Sequence, residues 1–408
     1  MTTKFDVVIV GAGLAGLRAA TVLESRDVSV LLVDRNAQVG GRLASHDVDG
    51  FIVDEGFQLI NPSYPELRAT GVLADFDLRR FEPALTLFDG SRTVELVDPR
   101  FAPFEALSAL RHQLVSPGDL VKLGRIFAEV NLRSVRSLNA QTDCSTIEGF
   151  ERAGLSRATF ENVLQPFLRG TLLDDRLDGS WHYTQLLLRS FTRGRPGTHP
   201  EGIVALPVAL RDQLKTTTVS LGESAQKVSA DRVTTDRETY EARTVIVATD
   251  ASDAHSLTGV ADPQWRSQTT WWFALPRLAH SKRLRIDLGR RFLNSALDIS
   301  SVAPERAPRT MSLVGAPANG LHPTSEHDRS VAEDVARLYG VTTSEVRLVT
   351  KSLVVRALPT IPTPLRLGRV QRRGDLLVAG DYLQTPSIQG ALVSGRRAAE
   401  AAVLRLGR

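Results

Sequence analysis

The sequence predicts an α/β fold in which both ends of the chain build one discontinuous domain and two inserts build a second, mixed α+β domain. Three observations predict it. A short apolar strand, a glycine-rich turn and a helix open the chain. A strand ending on Gly380-Asp381 and a helix from Ile388 stand near its other end. Between them, one stretch has helical periodicity and another has alternating, strand-like periodicity.

The first element is the strand 5–10 (FDVVIV), followed at once by Gly11-Ala12-Gly13-Leu14-Ala15-Gly16. Helical spacing continues to Glu24, and a second strand, 28–33, ends on Asp34. This order is typical of a Rossmann-like dinucleotide site. Gly11 is expected to make the tight turn, Gly13 to admit a pyrophosphate and Gly16 to let helix and strand pack closely.

The start of the first helix is predicted to hold phosphate, because its free N–H groups and positive dipole end face the ligand. Leu14 and Ala15 are assigned to that contact. Asp34 is placed to accept hydrogen bonds from a ribose diol, with Arg35 beside it, and an acid there argues against a 2′-phosphate. The glycine motif alone leaves a nicotinamide-dependent dehydrogenase open as an alternative.

Two further segments favour a flavin. Residues 38–42 (QVGGR) follow the acid, and residues 53–57 (VDEGF) come about a dozen positions later. Adjacent glycines before an arginine suit a second approach to a long ligand, with the guanidinium near a phosphate. With these residues the sequence resembles the flavin-containing amine oxidase superfamily, which includes protoporphyrinogen oxidases and phytoene-type desaturases. The resemblance implies non-covalent FAD, with Gly41 and Arg42 at the pyrophosphate and Gly56 and Phe57 at the flavin ring.

The middle of the chain is expected to return to the cofactor domain. Residues 201–207, with a helix running to Leu214, resemble the family's return segment, and the strand 244–249 closes the domain. The resemblance also implies that Val228 packs on the adenine. The predicted domains are therefore 1–95, 196–255 and 356–408 for FAD, and 96–195 and 256–355 for the substrate.

Near the chain end, residues 376–381 form an apolar strand that ends on Gly-Asp, and a helix follows from Ile388. The resemblance implies that Gly380 and Asp381 face the ribityl-phosphate portion of FAD. It places Ile388, Gln389 and Ala391 at the pyrimidine edge of the flavin. A helix N-terminus there would stabilise the anionic reduced flavin.

The two inserts are expected to cap the flavin face. The first is predicted to contain helices at 104–114, 117–132, 145–154 and 157–167. The second is predicted to contain strands at 269–275, 310–314 and 346–355, with a helix at 326–338.

The substrate is harder to predict. Trp272 is expected to face away from Trp271 and Phe273 and is a candidate pocket residue, with core packing as the alternative. Tyr382 is a second candidate. Arg356 could anchor a carboxylate or diphosphate, with a structural ion pair as the alternative. No catalytic residue is assigned, since a flavin needs no obligatory acid–base pair.

The amine-oxidising branch of the family is matched less well. Its lysine is missing from strand 269–275, and its aromatic pair is missing near 357–361 and 387–388. We therefore expect an oxidase or desaturase type of enzyme with a mostly apolar small-molecule substrate and with dioxygen or another electron acceptor. An amine oxidase acting on a C–N bond and a redox-silent FAD-binding protein are the alternatives.

Composition narrows the remaining classes. Lysine and arginine total 50 against 46 acids, yet only six are lysines. Arginine excess suits phosphate or anionic-membrane contacts, with codon bias as the alternative, and no basic stripe indicates nucleic-acid binding. The lone Cys144 and the scattered histidines give no metal site or disulfide framework. No leader and no 18-residue apolar run is present, so we expect the cytoplasm or the inner membrane surface. The oligomeric state is left open.

Overall fold

The computed structural model describes residues 4–97, 114–277, 282–289, 292–367 and 371–408. Its base is an eight-stranded sheet. Numbered along the chain, its strands are β1 (Lys4–Val10), β2 (Val30–Asp34), β9 (Thr218–Leu221), β10 (Ala225–Val228), β11 (Arg232–Thr235), β12 (Thr239–Val247), β18 (Gln371–Arg373) and β19 (Leu376–Val378). Their order in the sheet is β10-β11-β12-β1-β2-β9, and β19 pairs with β12 and β18 with β19. Strands β9, β2, β1, β12 and β19 run parallel, so their carboxyl ends share one edge.

Helices α1 (Leu14–Glu24) and α12 (Ile388–Leu406) cover one face of this sheet. Along β1, Ile9 points towards these helices, whereas Val8 lies in the core on the opposite face, as the two-residue period of a strand requires. The helices pack so closely that a Cβ placed on Gly395 would lie 2.0 Å from the Ala15 carbonyl oxygen. The first and last helices of the fold are therefore direct neighbours.

The second insert forms an antiparallel sheet with the order β15-β16-β13-β17. Its strands are β13 (Trp265–Pro276), β15 (Leu297–Asp298), β16 (Met311–Asn319) and β17 (Arg347–Pro359), and helix α11 (Ser325–Tyr339) packs on it. Two smaller sheets join distant segments: β14 (Leu284–Asp287) with β6 (Ala84–Phe88) and β7 (Thr93–Val97), and β5 (Arg79–Arg80) with β8 (Gly197–Thr198). A third is the local hairpin of β3 (Ser45–Val48) and β4 (Phe51–Asp54).

The first insert is helical, as predicted. The remaining described helices are α2 (Pro65–Ala69), α3 (Pro117–Leu132), α4 (Val135–Asn139), α5 (Thr146–Arg152), α6 (Arg157–Thr159), α7 (Gln165–Leu172), α8 (Trp181–Arg193), α9 (Ala205–Asp212) and α10 (Ala251–Thr258). Ser116 caps α3 by accepting from the Asp119 N–H, and Ser145 forms a capping box with Glu148. The predicted helix 104–114 lies outside the described residues except for its last position.

The α/β class is confirmed, and two kinds of difference appear. The helix predicted at 157–167 contains a π-helical turn over 160–164, between α6 and α7. The predicted domain boundaries at 95 and 355 fall inside β7 and β17, because an alternating pattern shows a strand without showing which sheet it joins. Across the described ranges, no helix combines the length and apolarity needed to cross a membrane.

Candidate functional site

A cavity of about 1400 Å³ lies where the parallel strands end and the two inserts meet the large sheet. Typical ligand pockets measure roughly 300–1,000 Å³, so this one can hold a long ligand and a second molecule beside it. Most of the predicted cofactor residues line it: Gly11, Gly13, Leu14, Ala15, Asp34, Arg35, Gly41, Arg42, Gly56, Phe57, Gly380, Asp381, Ile388 and Ala391. The fold thus brings motifs from both ends of the chain to one site.

The glycine turn leaves open space in front of α1. Gly11 has φ +110°, and a Cβ there would lie 2.7 Å from the Ala248 carbonyl oxygen. Gly13 is the N-cap residue and provides no side-chain cap, while a Cβ on it would meet no atom within 4 Å. An uncapped helix N-terminus facing empty space has the donors that a phosphate needs, so these residues fit a dinucleotide.

Gly16 has the packing role predicted for it and no ligand contact. It does not line the cavity, and a Cβ on it would lie 1.8 Å from the Gly11 carbonyl oxygen. Gly16 is therefore a packing residue that lets α1 approach β1, and it does not line the cavity as a cofactor-binding residue would.

Asp34 holds together the loops at the carboxyl end of β2. Its carboxylate accepts from the Ala12 N–H at 2.6 Å and from the Asn36 N–H at 2.8 Å. Arg35 pairs with Asp253 at 2.9 Å on the same side. Val228 does not line the cavity; Ala225 and Gln226, earlier in β10, do.

Val228 lies away from the cavity because of the direction in which β10 runs. Strand β10 begins beside the Asp34 loop, where the Glu223 N–H donates to the Asp34 carbonyl at 2.9 Å, and then runs away from the site. Val228 packs instead against the core on the outer face of the sheet. The residues of β10 that face the cavity are therefore Ala225 and Gln226, two or three positions earlier.

Arg42 and Asp381 both line the cavity and form an ion pair. The Arg42 Nη2 lies 2.5 Å from the Asp381 Oδ1, and Nη1 donates to the Ala357 carbonyl at 3.1 Å. Burial opposes the Arg42 charge, but the Asp381 carboxylate outweighs it and raises the pKa of Arg42. A paired, ordered guanidinium therefore lies where three distant chain segments meet.

The turn at Gly56 and Phe57 is held by the second insert. The Gly56 N–H donates to Ser352 Oγ at 3.2 Å, and the Phe57 N–H donates to Gln268 Oε1 at 2.9 Å. Gly56 has φ +78°, and a Cβ there would lie 3.3 Å from that same Gln268 oxygen. The turn is therefore rigid and its cavity side is open.

Beneath this turn lies an ion pair that sequence reasoning missed. Arg306 has 0% exposure; its Nη1 lies 3.0 Å from Asp54 Oδ2, and its Nε donates to the Ile52 carbonyl at 2.8 Å. The other Asp54 oxygen accepts from Ser45 Oγ and from the Ile203 N–H. No local pattern signals Arg306, because it stands 252 residues from its partner and in no motif.

Trp272 is not a pocket residue. It faces away from Trp271 and Phe273, as predicted, but it is 1% exposed, lies outside the cavity lining and donates from Nε1 to the Asp54 carbonyl at 3.0 Å. Its ring packs near Phe57, across from Gly315. Core packing is therefore the correct alternative for Trp272.

Of three further residues predicted to contact substrate or cofactor, Tyr382 and Gln389 do not line the cavity, whereas Arg356 does. Tyr382 packs under Gly380 against the outer core and does not line the cavity. Gln389 also lies outside the lining, since its Oε1 accepts from the Glu66 N–H at 2.9 Å. Arg356 lines the cavity and pairs with Asp250 at 3.3 Å, so both of its predicted roles remain open.

The wall contributed by the inserts is mainly apolar and aromatic. The inserts build it with α7, α8, β14 and the segment before β16, through residues that include Phe167, Leu187, Phe191, Ile286 and Leu297. Strand β6, which pairs with β14, adjoins this wall from outside the inserts. Within the described parts of the chain, no lysine stands among the lining residues. This half of the cavity therefore suits an apolar molecule.

Two tyrosines that sequence reasoning did not select border the same space. Tyr183 donates its hydroxyl to the Pro386 carbonyl at 2.9 Å, just before α12. Removal from water raises the pKa of Tyr64 to about 12, and burial raises the pKa of Tyr183 further still. Both phenols are therefore neutral at physiological pH.

A sequence model of the family described as "Flavin containing amine oxidoreductase" matches residues 14–403. Among curated proteins, the chain is similar to a hydroxyneurosporene desaturase of Rubrivivax gelatinosus, with 38% identity over 117 residues, 24% of this chain and 22% of that protein. It is also similar to a chloroplastic protoporphyrinogen oxidase of Nicotiana tabacum, with 28% identity over 181 residues, 42% of this chain and 30% of that protein. The matched segments thus span less than a third of either relative.

Solved structures share the fold over nearly the whole chain. The cyclohexylamine oxidase of Brevibacterium oxydans superposes with a TM-score of 0.70 and 15% identity, covering 99% of this chain and 100% of the other. At that identity the likeness concerns the fold alone.

Proposed function

The chain belongs to the flavin containing amine oxidoreductase family, and from this premise we propose that it is an FAD-dependent oxidoreductase of the oxidase or desaturase type. The observation that carries the proposal is the single cavity in which the motifs of both chain ends meet an apolar wall from the inserts. Cofactor and substrate would lie side by side there.

Named residues would hold the cofactor along the cavity. The uncapped start of α1 behind Gly13 would bind the pyrophosphate, with the Arg42 guanidinium as a further N–H donor. Asp34 would accept from the adenosine ribose, and Gly56 with Phe57 would border the flavin ring. Ile388 and Ala391 bring the first turn of α12 to the cavity, where the positive end of the helix dipole would favour a reduced, anionic ring.

The remaining work falls to this chain's own side chains. FAD, when bound, supplies a ring that accepts a hydride from a substrate C–H. Phe167, Leu187 and Phe191 would exclude water and orient the substrate against that ring. The neutral hydroxyl of Tyr64 would remain a hydrogen-bond donor over the whole physiological pH range. No protein acid or base is required by this scheme.

The apolar wall and the absence of lysine from the described lining support an apolar substrate. Oxidation of a C–N bond is the second candidate, and a specific observation favours it. Tyr64 and Tyr183 place two aromatic rings beside the cavity from elements other than those where the family's aromatic pair was sought. A neutral amine could be held between such rings.

The proposal is tested on the purified protein. We expect a yellow solution whose flavin is released intact by denaturation, is bleached by photoreduction with a sacrificial donor and is reoxidised by air or by an added acceptor. Amines, tetrapyrrole precursors and carotenoid precursors are then screened by anaerobic flavin bleaching. A flavin that binds but cannot be reduced or reoxidised would identify a redox-silent binding protein, and a colourless protein that FAD cannot reconstitute would refute the assignment.

A further inference from the structure

Four arginines line one lip of the cavity and define what we call the arginine lip: Arg68, Arg80, Arg193 and Arg195. All four are exposed. They come from three places in the fold: Arg68 from α2, Arg80 from β5, and Arg193 and Arg195 from the last residue of α8 and the second residue after it. No sequence motif contains them, and the cofactor assignment does not use them.

Backbone pairing brings these segments together. Arg80 in β5 is opposite Gly197 in β8, and Gly197 also bridges to Ile60. A Cβ placed on Gly194, between two of the arginines, would lie 2.5 Å from Asn61 Oδ1. The lip is therefore a defined part of the fold.

The charge of the lip differs from that of the rest of the cavity. The arginines on the cofactor side pair with cavity aspartates, as in Arg42 with Asp381 and Arg356 with Asp250. In the lip, Arg68 Nε donates to the Pro62 carbonyl at 2.7 Å, which is a neutral acceptor.

Arg193 behaves in the same way. It donates to the Asn131 side-chain and backbone oxygens at 3.1 and 2.7 Å, both of them neutral. Glu82 is an acid in the neighbouring lining, but it pairs with Arg283 at 2.6 Å. These bonds orient the guanidinium groups of Arg68 and Arg193 without cancelling their charge, so this part of the lip attracts anions.

Apolar residues lie next to the lip arginines along the chain. Phe81 follows Arg80 and is 5% exposed, and Phe191 precedes Arg193 by two positions. Both phenylalanines line the cavity. The cavity lining therefore combines exposed positive charge with aromatic side chains close to it in the chain, which matches a molecule with one anionic end and an apolar body.

We propose that the arginine lip binds the anionic end of the substrate, so that the substrate class is an apolar body carrying a terminal carboxylate or phosphate. This inference rests on the proposed function and specifies its substrate. Guanidinium groups suit either anion because their donors match two oxygens at once.

The test is isothermal titration calorimetry on the holoenzyme with four ten-carbon probes: decanoate, decyl phosphate, decanol and decylamine. We expect decanoate or decyl phosphate to bind about tenfold more tightly than decanol, since hydrogen bonds to charged groups contribute on that order. Added salt should lower the affinity for the anionic probe and leave the affinity for decanol unchanged. Decylamine should bind no better than decanol.

The double variant Arg80→Gln/Arg193→Gln should lose about tenfold in affinity for the anion and keep its affinity for decanol. Arg157→Gln removes an arginine that is 88% exposed and lies outside the cavity, and it should change neither affinity. Circular dichroism checks folding, and Arg68→Gln/Arg195→Gln replaces the first pair if that pair unfolds.

Equal binding of anion and alcohol, or an unchanged double variant, would overturn the inference. Lip-dependent co-sedimentation with phosphatidylserine vesicles, without competition by decanoate or decyl phosphate, would also overturn it, by assigning the lip to a lipid surface. Failure of the proposed function is separate, because it would appear as a flavin that cannot be reduced or reoxidised while the probe binding persists.

Discussion

Replacing Arg306 by methionine tests the buried ion pair beneath the Gly56 turn. The guanidinium is 0% exposed and lies 3.0 Å from Asp54 Oδ2, and Asp54 itself is 2% exposed. The substitution keeps much of the side-chain volume and removes the charge. It leaves a carboxylate inside the protein without its cation.

The magnitude follows from burial. Removing one partner of a buried ion pair costs about 3–5 kcal/mol, because the remaining charge is desolvated and unpaired. The matched control is Arg157→Met, which breaks a pair of similar length, 2.8 Å from Nε to Glu161 Oε1, on a side chain that is 88% exposed. An exposed i,i+4 pair contributes about 0.3–0.5 kcal/mol. The two variants therefore differ in burial at nearly equal distance.

The assay is equilibrium urea unfolding at pH 7, followed by far-UV circular dichroism and by flavin absorbance. We expect the free energy of unfolding to fall several-fold more for Arg306→Met than for Arg157→Met, with early loss of flavin in the first. Adding Asp54→Asn to Arg306→Met should show a coupling energy of about 1 kcal/mol or more, since the stranded charge is then removed. If Arg306→Met costs no more than Arg157→Met, the reasoning from burial is refuted.

Three further outcomes are expected. Gly13→Ala should fold normally, since its Cβ meets no protein atom within 4 Å, yet it should raise the Kd for FAD measured by fluorescence titration of the apoprotein. Gly11→Ala should also lower the melting temperature, because its Cβ would lie 2.7 Å from the Ala248 carbonyl oxygen at φ +110°. Equal melting temperatures of the two variants would contradict this. Removal from water raises the pKa of Tyr64 to about 12, whereas an unfolded tyrosine has a pKa of ~10, so Tyr64 stabilises the fold fully below pH ~10 and loses that contribution as the pH rises to about 12. In Tyr64→Phe, the free energy of unfolding measured in urea should therefore fall less steeply with pH over that range. An unchanged pH dependence would count against this. Burial raises the pKa of the Cys144 thiol, so a disulfide reagent at pH 8 should label it slowly in the native protein and rapidly in urea; fast native labelling would show that the thiol is accessible.

The parts of the site that sequence predicted are those that a short motif specifies. Gly11, Gly13 and Asp34 act through the backbone of one strand–turn–helix–strand unit, so their spacing along the chain determines their geometry. Asp381 follows the same logic at the end of β19. Local sequence is sufficient wherever the functional group and its support are neighbours along the chain.

The parts that sequence missed depend on distant partners. Gln268 holds the Phe57 N–H across 211 residues, and Arg306 supports Asp54 across 252. Alternation placed Trp272 on the correct face of β13, but a single strand does not show whether that face meets a cavity or another sheet. The predicted adenine contact of Val228 is wrong for a similar reason, because a single valine in a strand does not show which residues of that strand face the cavity.

The close contact between Gly395 and Ala15 has a consequence for synthesis. At roughly 5–20 residues per second, the first helix waits about 20–80 s on the ribosome before its packing partner is made. During that interval its apolar face is uncovered and accessible to chaperones. Cofactor loading should therefore follow translation, and a premature stop before the last helix would release a chain that quality control recognises as unfinished.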